Sequence, residues 1–95
     1  MLKVIKKNKQ VSNFDPEKIA VSIYNSGKDI DLALNQKDLD LITKEIENKI
    51  IAIRGKEGTT SSYEIAAITL LVLRNSGYPK IANSFYRGLD EKINR

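Results

Sequence analysis

Hydrophobic positions in this chain change period after residue 14, from a strand-like alternation to a helical spacing of three and four residues. Residues 2–7 and 10–14 read as the two strands of a hairpin, because Val4, Ile5, Val11 and Phe14 are good strand formers. Side chains alternate along a strand, so Leu2, Val4 and Lys6 share one face and Lys3, Ile5 and Lys7 the other. Neither face is purely apolar, which fits a small sheet with helices on one side and a ligand or lid on the other. The spacing predicts a two-residue loop at Asn8-Lys9. Asn suits the positive φ of a type I′ turn, and Lys is a poorer second residue than Gly.

The remainder reads as helices. Asp15 is a strong N-cap and Pro16 fits the first helical position, so a helix is predicted from Pro16 to about Ser26, with Gly27 as its stop. Its buried stripe is Ile19, Ala20, Ile23 and Tyr24. A polar connection over 28–35 is anchored by Leu32 and Leu34, and Asn35 caps a second helix from about Gln36 to Ile53. Leu39, Ile42, Ile46, Ile50 and Ile53 make one seam there, widened by Leu41 and Ile51. The breaker run Arg54-Gly55-Lys56-Glu57-Gly58 follows, and Thr59-Thr60-Ser61-Ser62 adds a short strand to the hairpin. A third helix covers about Ser62 to Asn75, capped by Ser61 (with Glu64 three residues on) or by Ser62. Apolar residues cover nearly every face of it, which predicts the central helix of the core. Asn75-Ser76-Gly77 ends it, and a fourth helix starts near Pro79 with Ala82, Phe85, Tyr86, Leu89 and Ile93 on its buried side. The expectation is an α+β fold: a three-stranded sheet packed with about four helices, in one domain over residues 1–95.

Composition narrows the chemistry. With 95 residues only one modest core is possible. There is no apolar run long enough to span a bilayer and no signal-peptide core at the N-terminus, so the expected location is cytoplasmic, away from membranes. Neither cysteine nor histidine occurs. That removes disulfides, thiolate nucleophiles, the commonest general base and the commonest metal ligand. Asp29 and Asp31 stand close but lack the other ligands of a calcium loop. Gly55-Lys56 fails as a phosphate loop, since Ile50 stands where a Gly is needed and Glu57 where Ser or Thr is needed. No catalytic residue and no metal site is assigned, and an enzyme is not expected.

The net charge is +4, and its excess lies at the N-terminus: of the acidic residues only Asp15 and Glu17 precede Lys18. Lys6 and Lys7 sit at the hairpin turn and Lys18 on the first turn of the next helix, a residue or two beyond the second strand. Three ammonium groups on one spot suit a polyphosphate, which lysine binds as a mobile point charge. As N-cap, Asp15 occupies the free N–H groups of that helix, so phosphate is expected on the lysines and Asp15 or Ser12 beside the ribose or base. A hairpin with merely solvated lysines is the plain alternative.

The run Val4-Ile5-Lys6-Lys7-Asn8, followed by Phe14-Asp15 and Lys18-Ile19, resembles the opening of an ATP-cone domain. Glu64-Ile65, Gly77-Tyr78 and Ile81-Ala82 resemble later features of that family in order and spacing, so that the resemblance runs from about residue 3 to 93. ATP-cones are regulatory domains of ribonucleotide reductases and of a repressor of reductase genes. The resemblance implies a non-catalytic module that takes ATP or dATP, with or without Mg2+, and signals by association, either as a homo-oligomer or with a reductase or another regulated protein. Carried over, Val4 offers backbone contacts to the base, Lys6 and Lys7 hold phosphates, Ser12 and Asp15 face the nucleoside, and Lys18 reaches phosphate. Ile19 packs beneath the base, Ser62 reaches the nucleotide, and Lys92 falls near a basic position of the last helix. Lys7 stands for the family's Arg and Lys9 for its turn Gly, which predicts a wider or strained turn; Gly88-Leu89 stand where a Tyr-Arg pair is usual. Two other readings compete: a basic nucleic-acid-binding module, and a cone that has lost its ligand and acts only in protein interaction.

Overall fold

The structure is a computed structural model that describes residues 1–93, with side chains described through Leu89. The elements in chain order are β1 (Lys3–Ile5), β2 (Val11–Asn13), α1 (Pro16–Lys28), α2 (Gln36–Arg54), β3 (Thr59–Ser61), α3 (Ser62–Asn75) and α4 (Pro79–Ile93). The α+β expectation is met. The sheet order is β2-β1-β3, with β1 antiparallel to β2 and parallel to β3. Leu2, Val4, Phe14 and Thr60 are buried while Ile5 and Val11 are exposed, so one face of the sheet meets the helices and the other is open. Beneath it α1, α2, α3 and α4 pack as a ring, each against the next and α4 back onto α1. Ile23, Ile46, Ile50, Leu73 and Ile81 form its centre and are essentially inaccessible. Each such side chain contributes about 1.5–3 kcal/mol on leaving water.

The hairpin turn differs from the expected two-residue type I′ loop. The Lys6 N–H donates to the Gln10 carbonyl at 2.8 Å, and the Lys9 N–H donates to the Lys6 carbonyl at 2.9 Å. Of the loop residues only Lys9 has positive φ, at 67°. This is a three-residue loop, a turn followed by one left-handed residue. The Asn8 side chain tightens it, its Oδ1 accepting from the Gln10 N–H at 3.0 Å. An asparagine that bonds two residues on stabilises a turn without itself needing positive φ, which is why Asn8 misleads when read as the first residue of a type I′ pair.

Helix α1 overruns its predicted stop. Gly27 is buried inside it, and α1 ends at Lys28. The Leu32 N–H bonds the Gly27 carbonyl at 2.8 Å and the Asp31 N–H bonds the Lys28 carbonyl at 3.1 Å. Asp31 takes the left-handed position, with φ of 60°. These are the paired bonds of a Schellman cap, with Asp where Gly is usual. Gly27 is glycine for another reason: a Cβ there would stand 2.3 Å from the Leu32 carbonyl oxygen. Leu34 does anchor the connection on the core, but Leu32 is 43% exposed.

The N-caps of α2 and α3 are Asn35 and Ser61, which accept from the Asp38 and Glu64 N–H groups at 2.8 and 3.1 Å. Helix α3 is not buried on every face. Ile68, Thr69, Val72 and Leu73 point inward, while Tyr63 and Leu71 are exposed, because neighbours cover α3 on one side and at its sheet end only. Tyr24, Ile53 and Tyr86, expected to be buried, also reach solvent. On α4 the inward row is Ile81, Ala82, Ser84 and Phe85, and the Ser84 hydroxyl donates to the Ser26 carbonyl of α1 at 2.7 Å. The side chain of Ile93 lies outside the described residues.

Candidate functional site

The hairpin, the start of α1 and the start of α3 carry most of the predicted site. Val4 pairs with Ser12 on one side and Thr60 on the other, so the three form one row across the sheet on its helix-facing side. Val4 is buried and Ser12 half-buried. The Phe14 N–H donates to the Leu2 carbonyl at 2.9 Å and the Lys6 N–H to the Gln10 carbonyl at 2.8 Å, so by alternation Val4 and Ser12 face each other as a bonded pair as well. The Val4 amide is therefore occupied by the ladder, and its carbonyl keeps one lone pair for another donor. Ile19 lies in the same core cluster as Val4.

Lys6 and Lys7 are exposed on the turn. Lys7 shares a face with Ile5, and its ammonium stands 6.0 Å from the centre of the Tyr63 ring on the first turn of α3. Tyr63 is 62% exposed and belongs to no predicted site. Its closeness to Lys7 follows from the parallel pairing of Ile5 with Ser61, which no local pattern announces. Ser62, half-buried, opens α3 one residue before it.

Lys18 projects from α1 into a groove of about 330 Å³ between α1 and α4, where Ser22, Phe85, Gly88 and Leu89 also line the wall. That size falls within the usual range for small-ligand sites. The groove contains neither Lys6 nor Lys7, so the three lysines come from neighbouring elements and present separate ammonium groups. Lys6, Lys7, Lys9 and Lys18 make no ion pair among the described residues. Asp15 caps α1, its Oδ1 accepting from the Glu17 N–H at 3.0 Å. The side chain of Lys92 lies outside the described residues.

Beside Ser62 a charged clamp sets the start of α3. Arg54 at the end of α2 grips the Glu64 carboxylate with Nε at 3.0 Å and Nη2 at 2.8 Å, and the Thr60 hydroxyl of β3 donates to the same carboxylate at 2.6 Å. The Arg54 hydrogen bonds, then the Thr60 bond and the guanidinium charge, outweigh desolvation and hold Glu64 down to about 2. Glu64 thus joins α2, β3 and α3 instead of reaching back to the Ser61 amide as a capping box would. Among the described residues no group of three or more acidic side chains stands where it would hold a metal ion, and no helix is long and apolar enough to cross a membrane.

Comparison with known proteins gives one family. The model of the ATP cone domain matches residues 2–92 of the chain. No curated protein matches it.

Proposed function

The chain belongs to the ATP-cone family, whose domains are regulatory, non-catalytic modules that bind ATP or dATP, and on that premise we propose that its hairpin and first helix take an adenine nucleotide. What supports the reading is the set of exposed lysines Lys6 and Lys7 on the hairpin turn and Lys18 on the first turn of α1, none of which makes an ion pair among the described residues. The triphosphate lies against those ammonium groups. The nucleoside lies toward Ser12, Asp15, Ile19 and Ser62, with the free lone pair of the Val4 carbonyl available to the base. The family's domains are non-catalytic, so the nucleotide is read here as a signal and not as a substrate. Neutralising the lysines draws the hairpin onto α1 and α3, and the signal leaves through a change in association, with a second copy or with a regulated enzyme such as a reductase.

Calorimetric titration with ATP and with dATP tests the binding. Lys6→Ala and Lys18→Ala each remove a charge-assisted contact of about 1.5–3 kcal/mol, so each weakens affinity roughly tenfold or more. Unchanged affinity in both variants refutes this placement of the phosphates. Equilibrium sedimentation with ATP, with dATP and with neither tests the output, and equal masses in all three conditions rule out signalling by self-association.

Tyr63 beside Lys7 supports a second reading, because an exposed ring next to an ammonium group is a stacking platform for a single-stranded base. Salt-sensitive binding of an oligonucleotide that saturating ATP fails to displace would favour it.

A further inference from the structure

A larger groove lies apart from the hairpin. It has a volume of about 580 Å³ and runs between the α1–α2 connection and α4, lined by Ile30, Leu32, Lys80, Asn83, Tyr86 and Arg87. Its floor is apolar: Ile30 is half-buried, and Leu32 and Tyr86 are 43% and 55% exposed. Lys80 and Arg87 stand at its two ends, both exposed and without an ion pair among the described residues. Seven residues of helix separate them, which is about 10 Å along the axis.

We propose that this groove docks an extended acidic segment of a partner protein, in which two carboxylates bracket one apolar side chain. An extended chain advances about 3.3 Å per residue, so carboxylates two to four residues apart reach Lys80 and Arg87 together. The apolar residue between them covers Ile30, Leu32 and the Tyr86 ring. Asn83, between the two cations, has the donor and acceptor needed to pair with one peptide unit of the segment. A polyphosphate is a poorer occupant, because it concentrates its charge and needs clustered cations rather than two held apart by an apolar floor. The proposal does not depend on nucleotide binding at the hairpin.

The test is selection of eight-residue peptides from a random displayed library on the full chain, followed by fluorescence anisotropy of the selected peptide. The expected peptides carry two acidic residues around an apolar one. Their affinity falls at least tenfold in Lys80→Glu and in Arg87→Glu, falls with added salt, and is unchanged by saturating ATP. Both substituted side chains are exposed, so the variants keep the fold, which circular dichroism verifies. Three outcomes each overturn the proposal: selection without acidic enrichment, equal binding by the charge-reversal variants, or displacement of the peptide by ATP or by a single-stranded oligonucleotide.

Discussion

Replacing Lys9 by glycine should stabilise the protein, although it removes a side chain and adds backbone freedom. Lys9 holds φ at 67°, in the left-handed region. An L-residue with a Cβ loses roughly 1–2 kcal/mol there because the Cβ crowds the following carbonyl oxygen. Glycine escapes that crowding but loses about 0.4–1 kcal/mol through the greater entropy of its unfolded chain. The exposed Lys9 side chain makes no hydrogen bond or ion pair among the described residues, so nothing else is forfeited. The net gain is about 0.5–1 kcal/mol. For a domain of this size that raises the melting temperature by roughly 2–8 °C. Lys9→Ala is the control. It removes the same positive charge near Lys6 and Lys7 yet keeps the Cβ, so it should stay within about 0.5 kcal/mol of the parent. Thermal and urea unfolding followed by circular dichroism read both variants. If Lys9→Gly were no more stable than Lys9→Ala, the left-handed residue at the turn would not be a source of strain, and the argument from φ would fail.

Two helix glycines should respond with opposite signs. Gly27→Ala drives a Cβ against the Leu32 carbonyl and should cost on the order of 2 kcal/mol in urea unfolding, overriding alanine's better helix propensity. Gly88→Ala meets no atom within 4 Å and should raise stability by about 1 kcal/mol; a loss of stability there would mean that the α1–α4 groove is tighter than described. The Arg54–Glu64 clamp makes an acid-side prediction. The folded-state pKa of Glu64 is about 2, below its ordinary value of 4.5, so its stabilisation is fully present above about pH 4.5 and is lost as pH falls toward 2. Because the Arg54 side chain is half exposed, screening reduces the effect to about 1–2 kcal/mol. Glu64→Gln should be less stable by that amount at neutral pH and should flatten the stability profile between pH 4.5 and 2. An acid limb unchanged by the substitution would remove the clamp from the account.

The sequence by itself determined the elements and their caps. Asp15, Asn35 and Ser61 are polar residues at the heads of apolar periodic runs, and each caps a helix because capping is a bond between residues two or three apart. The seam Leu39, Ile42, Ile46 and Ile50 is equally local, since helix geometry alone puts those side chains in a row. Which apolar faces are covered was decided only by the tertiary structure. Leu71 is as apolar as its buried neighbours, yet like Tyr63 and Tyr86 it reaches solvent because no other element packs over it. Gly27 and Lys9 show the same division at single positions. A glycine near a helix end reads as a stop, yet this one is needed because the chain returns across it at Leu32. A lysine at a turn reads as solvated, yet this one holds a conformation set by where the two strands pair. For the candidate site, the lysines and their spacing to Asp15 and Ile19 are legible in the chain. The neighbourhood of Lys7 and Tyr63, the Arg54–Thr60–Glu64 clamp and the groove beside Lys18 are not. Each of these brings together residues far apart in sequence, through strand pairing or helix packing, and no local period carries that information.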